Sequence, residues 1–340
     1  MKSVYIRLLC SILLGSTFLP ACRRPSTNTS DLLGNWSTSV DFKGDSRSEA
    51  AVFVIDNMAY VLTGTNASGS YNDMYAFDVN NGNWIKKEPL PARARNGAVA
   101  FSINGKGYIG TGYSGDADLV DFWEYDPATK KWTPKDDLPA EARTDAVSFV
   151  VNGKAYVCSG WDSKKAFNDC WEFDPTAAPG SQWQEKASLP HKTVAGVAFV
   201  LNNKGYVMAG NNNGEVQKEL YEFDVEHNSW TTKRKLFNYS NESYDDKYTS
   251  IVRDNAVAFV LGNNAYVSTG ENGPFVSTTW QYDAVEDTWT EYTGFEAKAR
   301  EGALAFTVNN RAFVLTGKNG SLYMDNMFEF SPFVEKVDGD

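Results

Sequence analysis
The stretch Arg95-Asn96-Gly97-Ala98-Val99-Ala100-Phe101-Ser102-Ile103-Asn104-Gly105-Lys106-Gly107-Tyr108-Ile109-Gly110-Thr111-Gly112 is one copy of a unit that recurs along the chain. Its apolar run closes on a small residue followed by Gly. The same close returns at Thr63-Gly64, Thr111-Gly112, Ser159-Gly160, Ala209-Gly210, Thr269-Gly270 and Thr316-Gly317, at intervals of 48, 48, 50, 60 and 47 residues. Four residues before each Gly stands Tyr60, Tyr108, Tyr156, Tyr206, Tyr266 or Phe313, and eleven before it stands Phe53, Phe101, Phe149, Phe199, Phe259 or Phe306. An aromatic-Asp pair follows, from Phe77-Asp78 to Tyr282-Asp283, with Phe330-Ser331 as the variant in the sixth copy. Each unit reads as four short strands.

A Trp then falls after each of the first five copies, at Trp84, Trp132, Trp183, Trp230 and Trp289, and none follows the sixth. The missing one stands before the first copy, where Gly34-Asn35-Trp36 duplicates Gly82-Asn83-Trp84. The N-terminal strand therefore supplies the outermost strand of the last unit and closes a ring, which removes open sheet edges. The predicted fold is all-β, a six-bladed β-propeller closed by the strand that carries Trp36.

The repeat resembles that of the kelch family, with a Pro-Arg opening, an apolar strand ending in Gly-Gly, a Tyr-Asp pair and a spaced Trp. The resemblance covers residues 34–331 and departs from the family in one systematic way, because the first Gly of each pair is Thr, Ser or Ala. A Leu-Pro before the repeat is irregular, at Leu90-Pro91, Leu138-Pro139 and Leu189-Pro190, with Phe295 alone in the sixth copy. The Phe, Tyr and Trp series are expected to pack blade against blade, since a residue present in every copy cannot specify one site. Seventeen residues before each Gly stand Arg47, Arg95, Arg143, Thr193, Arg253 and Arg300. In kelch substrate adaptors the corresponding position lines the face that receives acidic peptides, and the planar Arg fork suits carboxylates. The five arginines are therefore candidate ligand contacts, with pairing to blade carbonyls or neighbouring carboxylates as the alternative.

Other candidates lie on the same face. Tyr113, Trp161, Glu271 and Lys318 directly follow the repeat Gly, and the two aromatics could stack on a sugar or a peptide. The long fifth interval places an inserted, Tyr-rich, acidic segment at 231–252 with Tyr239, Tyr244 and Tyr248, a possible contact surface. Cys158 and Cys170 fall on adjacent strands of the third blade, where the other blades put apolar pairs, so they form either a packed pair or a disulfide.

The remaining composition narrows the function. The net charge is −11, which argues against nucleic acid as a partner. Only two histidines occur, His191 and His227, expected on opposite faces, which speaks against the copper oxidases that also use kelch-like propellers. No metal or other cofactor is expected, and no phosphate loop or nucleophile elbow is visible. Lys2 and Arg7 precede an apolar stretch from Leu8 to Leu19, and Leu19-Pro20-Ala21-Cys22 resembles a bacterial lipobox. That resemblance implies a signal peptide at 1–21, a lipidated Cys22, a polar tether at 22–33 ahead of the propeller, and an acidic tail at 332–340. Arg23 after the Cys resembles outer-membrane sorting, with the membrane reached by lipid anchor only, on the periplasmic or the external face. The expected function is a non-catalytic binding or scaffold lipoprotein of the bacterial envelope that recognises a protein, an acidic peptide or a glycan. The alternative is a carbohydrate-active kelch protein, such as a sialate mutarotase-like epimerase, or a glycan-binding lipoprotein.

Overall fold
The computed structural model describes residues 32–237, 248 and 250–337. Among them are six four-stranded antiparallel sheets. The first blade consists of Ala51–Ile55, Met58–Leu62, Met74–Asp78 and Asn83–Lys87, in that order from the axis outward. The next four repeat this order from Val99–Ile103, Val147–Val151, Val197–Leu201 and Val257–Leu261. The sixth uses Leu304–Val308, Arg311–Leu315 and Met327–Glu335, and its outer strand is Leu33–Thr38, paired with Trp36 opposite Phe330. Each innermost strand packs on its two neighbours and the sixth packs on the first, so the ring is closed as the Trp series predicts. The last strand runs on to Glu335, past the expected propeller boundary at residue 331.

Strand periodicity explains both the core and the axis. Along Val99–Ile103, Val99, Phe101 and Ile103 are buried on one face of the sheet, toward the third blade, while Ala100 on the other face packs against the first blade and borders the channel. Small side chains such as Ala98, Ala146, Gly196 and Ala256 let the six inner strands converge around a channel of about 240 Å3. The paired rings Phe53–Tyr60, Phe101–Tyr108 and Phe149–Tyr156 stack across the first two strands at 5.1 to 5.6 Å. Five of the six outer Trp reach the linker that leads into their own blade, whereas the buried Trp289 indole N–H has no hydrogen-bond partner. The indole N–H groups of Trp84, Trp132, Trp183, Trp230 and Trp36 donate to the carbonyls of Val40, Glu88, Asp136, Ala187 and Thr293. The aromatic series are thus packing elements, as expected.

The Leu-Pro irregularity is also resolved. Phe42, Leu90, Leu138, Leu189, Leu236 and Phe295 are all buried at the same place. Each donates its backbone N–H to a carbonyl of the loop ahead of a third strand, at Asp325, Asn72, Val120, Asn168, Lys218 and Ser277. The position requires apolar volume, and proline is dispensable. Cys158 and Cys170 stand directly opposite each other in the register, fully buried, and are joined by a disulfide.

Candidate functional site
The face carrying the inter-blade linkers and the loops after each repeat Gly is called the upper face here. Its arginines are present in the expected ring, but their side chains turn inward. Arg47, Arg95, Arg143, Arg253 and Arg300 have no exposed surface. In each, Nη1 donates to a carbonyl sixteen residues on, at Thr63, Thr111, Ser159, Thr269 and Thr316, at 2.8 to 3.0 Å. Arg47, Arg95 and Arg143 also grip Asp73, Asp121 and Asp169 through both fork nitrogens. Thr278 and Asn326 take the carboxylate's place before Arg253 and Arg300. The expectation that these five arginines offer a ligand surface is therefore corrected, because their donors are spent inside the blades. A signal existed in the sequence: Asp73, Asp121, Asp169 and Asn326 each follow their Arg by 26 residues.

The accepting carbonyls explain the departure from the Gly-Gly consensus. Thr63, Thr111, Ser159, Ala209, Thr269 and Thr316 all hold φ between 52° and 63°. Glycine adopts that conformation freely and a β-branched residue does so only under constraint. Here the carbonyl gripped by Arg supplies the constraint. In the fourth blade Thr193 stands in for Arg, and its hydroxyl donates to the equivalent Ala209 carbonyl at 2.7 Å.

Two residues after each Arg position the chain turns over the channel mouth. Glu49, Gly97, Asp145, Ala195, Asn255 and Gly302 have φ between 50° and 60°. Their N–H groups donate to the carbonyls of Gly302, Glu49, Gly97, Asp145, Ala195 and Asn255 in turn, at 2.8 to 3.1 Å. The result is a closed circle of six hydrogen bonds, one between each pair of blades. It fixes the backbone and directs the side chains of Glu49, Asp145 and Asn255 into the cavity above.

That cavity is a funnel of about 420 Å3, within the range of small-molecule sites. Glu49, Asp145, Asp254, Glu271, Glu301 and Lys318 line it, with Trp161, Asn211 and Lys164 at the wall and rim. Lys318 lies 3.3 Å from Glu49 and 3.7 Å from Glu301. Trp161 is 37% exposed and donates its indole N–H to Asp145 Oδ2 at 3.3 Å. Burial at the channel mouth, with the Glu49 charge, pushes the Asp145 carboxyl up to about 7. Burial, the hydrogen bond shared with Glu301 and the nearby charges of Glu301 and Asp254 push Glu271 up to about 7 as well. Burial, then the Glu301 charge, also raises Asp254.

Of the residues singled out in the sequence, Trp161, Glu271 and Lys318 meet in this funnel. Tyr113 does not line it, and its hydroxyl donates to the Gly115 carbonyl within its own loop. Tyr248 is buried rather than offered to a partner: it packs edge-on against Trp280 and accepts the Trp289 backbone N–H at 2.9 Å. Tyr239, Tyr244 and Cys22 lie outside the described residues. His191 packs near Tyr221 at the upper end of the fourth blade, while His227 pairs with Asp224 in a turn at the lower end. In the sequence Glu49, Asp145, Asp254 and Glu301 stand beside the arginines as possible partners, and Glu49 and Asp145, with Glu271, also as possible acid and base groups for the carbohydrate-active alternative. Their convergence depends on the backbone circle, which no local pattern announces.

Fold and site together define a kelch-type β-propeller with a polar funnel at one channel mouth. The chain belongs to the family described as the Attractin/LZTR1 beta-propeller, whose family model matches residues 59–327. No curated protein matches the chain in sequence. Among solved structures it resembles the one titled "Structure of YjhT", with a TM-score of 0.69 and 16% identity, covering 85% of this chain and 96% of that one. At that identity the likeness concerns the fold.

Proposed function
We propose that this chain is a non-catalytic binding protein of the bacterial envelope, held to the outer membrane by a lipid on Cys22, that receives a glycan in the funnel. The observation that carries the reading is the exposed face of Trp161 beside a polar funnel whose backbone is already fixed. Such a combination suits a sugar, whose ring can stack while its hydroxyls meet carboxylates and amides. An acidic peptide fits less well, since it would meet Glu49, Asp145, Asp254, Glu271 and Glu301 against Lys164, Lys165 and Lys318. Leu33 pairs with Glu335 at the lower end of the sixth blade, the end opposite the funnel. The test is calorimetric titration of a monosaccharide panel. Trp161→Ala is expected to weaken binding by about 2 kcal/mol, and no binding by any sugar removes the reading. For the anchor, Cys22→Ser is expected to move the protein from the membrane to the soluble fraction, and continued sedimentation with membranes would refute lipidation.

A second reading has its own support. Two carboxyls held near neutrality in one funnel, Asp145 and Glu271, suit general acid and base work on a sugar, as in an epimerase or mutarotase. Faster anomeric exchange of a bound sugar, lost in Asp145→Asn, would establish this reading over the non-catalytic one.

A further inference from the structure
The fourth blade breaks a pattern that the second and third keep. Arg95 and Arg143 each present a guanidinium to a carboxylate 26 residues on, and the indole N–H of Trp123 or Trp171, two residues further, donates to that same carboxylate at 2.7 Å. The fourth blade keeps the acid, as Glu219, but holds Thr193 in place of the Arg and Tyr221 in place of the Trp. A positive charge is missing from a place built round one. Thr193, Glu219 and Tyr221 line one enclosed cavity of about 10 Å3, with Gln217, His191 and Ala209 also in its wall. Glu219 is its one carboxylate, and no Lys or Arg among the described residues lines it. Glu219 Oε2 accepts the Lys218 backbone N–H at 2.9 Å, while the Lys218 ammonium sits 5.4 Å from the Phe237 ring centre.

The polar groups of this cavity offer oxygens rather than hydrogens. Thr193 spends its hydroxyl hydrogen on the Ala209 carbonyl at 2.7 Å, and Gln217 Nε2 donates to the Glu215 carbonyl at 3.0 Å, so Thr193 Oγ1 and Gln217 Oε1 are left as acceptors. Tyr221 is 6% exposed, and its buried hydroxyl has no hydrogen-bond partner. Burial, then the Glu219 charge, holds that hydroxyl well above its usual range, so it stays neutral. A buried hydroxyl without a partner is costly, and is retained most readily where a ligand meets it. The cavity admits one body of about the size of water. A single carboxylate among neutral oxygens matches a single positive charge, whereas calcium gathers about six to eight oxygens and magnesium demands a strict octahedron. We propose that Thr193, Gln217, Glu219 and Tyr221 form a seat for a potassium ion, whose charge takes the role that the guanidinium has in the second and third blades. The seat lies apart from the funnel and does not depend on the glycan reading.

The test is thermal unfolding of the full chain in detergent, in potassium, sodium or choline chloride at equal ionic strength, so that screening is the same throughout. An ion bound only by the folded chain stabilises it by mass action, and potassium at roughly 0.2 M is expected to raise the midpoint by about 3 °C over choline. Sodium, smaller than the cavity, is expected to raise it less. Glu219→Gln and Tyr221→Phe, both nearly isosteric, are each expected to abolish most of the potassium shift. Thr193→Arg, which returns a guanidinium to Glu219, is expected to raise the midpoint in choline and to remove the response to potassium. Crystals soaked in rubidium chloride are expected to show an anomalous peak beside Glu219 and Tyr221. Equal midpoints in the three salts mean that the cavity holds water only, and overturn the seat. A potassium response that persists in Glu219→Gln and in Tyr221→Phe places the ion elsewhere and overturns the assignment to this blade, and a larger shift with sodium overturns the choice of ion.

Discussion
At the scale of single residues, the arginines hold the blades together from within. Arg143 donates to the Ser159 carbonyl and forks onto Asp169, with its own side chain wholly buried. Removing it strands a carboxylate and a carbonyl, so Arg143→Ala is expected to destabilise the protein by about 3–5 kcal/mol in urea denaturation. Ligand affinity of the fraction that remains folded is expected to be unchanged. Arg300 shows the converse, because Asn326 accepts from Nη1 at 2.8 Å and leaves Nη2 buried without a partner. Asn326→Asp offers that nitrogen the second carboxylate oxygen used in the first three blades, and is expected to stabilise by roughly 1–2 kcal/mol, read as a raised urea midpoint at constant slope.

At the scale of elements, the decisive piece is Leu33–Thr38. Trp36 is completely buried, lies 4.9 Å from Phe295 and 4.7 Å from Phe330 between ring centres, and donates to the Thr293 carbonyl. Trp36→Ala is expected to cost about 3–5 kcal/mol. Deleting residues 32–38 bares the edge of Met327–Glu335, and size-exclusion chromatography is expected to show association where the intact chain elutes as a single species. This element was legible in the sequence because a Trp recurs after every aromatic-Asp pair but the last, so a gap at one end and a surplus Gly-Asn-Trp at the other are the same position. The direction of the arginines was not legible in the same way. Their spacing fixes which end of the blade they occupy, but whether a long side chain points outward or back depends on an acid 26 residues later and on a left-handed carbonyl between them.

At the scale of the molecule, two sets of carboxyls pull stability in opposite directions with pH. Asp145 and Glu271, raised to about 7, bind protons more readily folded than unfolded, so their contribution is present below about pH 4 and is lost as pH rises through 7. Burial works to raise Asp121 and Asp169, but the Arg forks and the indole N–H groups of Trp123 and Trp171 outweigh it and hold both below the usual range. Their contribution is present above about pH 4 and is lost on further acidification. Thermal stability is therefore expected to rise from pH 8 toward pH 5 and to fall below pH 4, and the Asp145→Asn/Glu271→Gln double variant is expected to lose the first limb while keeping the second. The funnel itself was half legible: Trp161, Glu271 and Lys318 follow from their place after the repeat Gly, whereas Glu49, Asp145 and Asp254 are gathered by hydrogen bonds between blades that are far apart in sequence.

The closing strand also sets a clock. Asn35 accepts the Val337 backbone N–H across 302 residues of chain, so at synthesis rates of about 5–20 residues per second the N-terminal strand waits roughly 15–60 s for its partner to be made. During that interval Trp36 has no pocket and five blades can assemble without it. The first strand to leave the ribosome is the last to find its place, and whatever escorts the nascent chain must shelter that one segment longest.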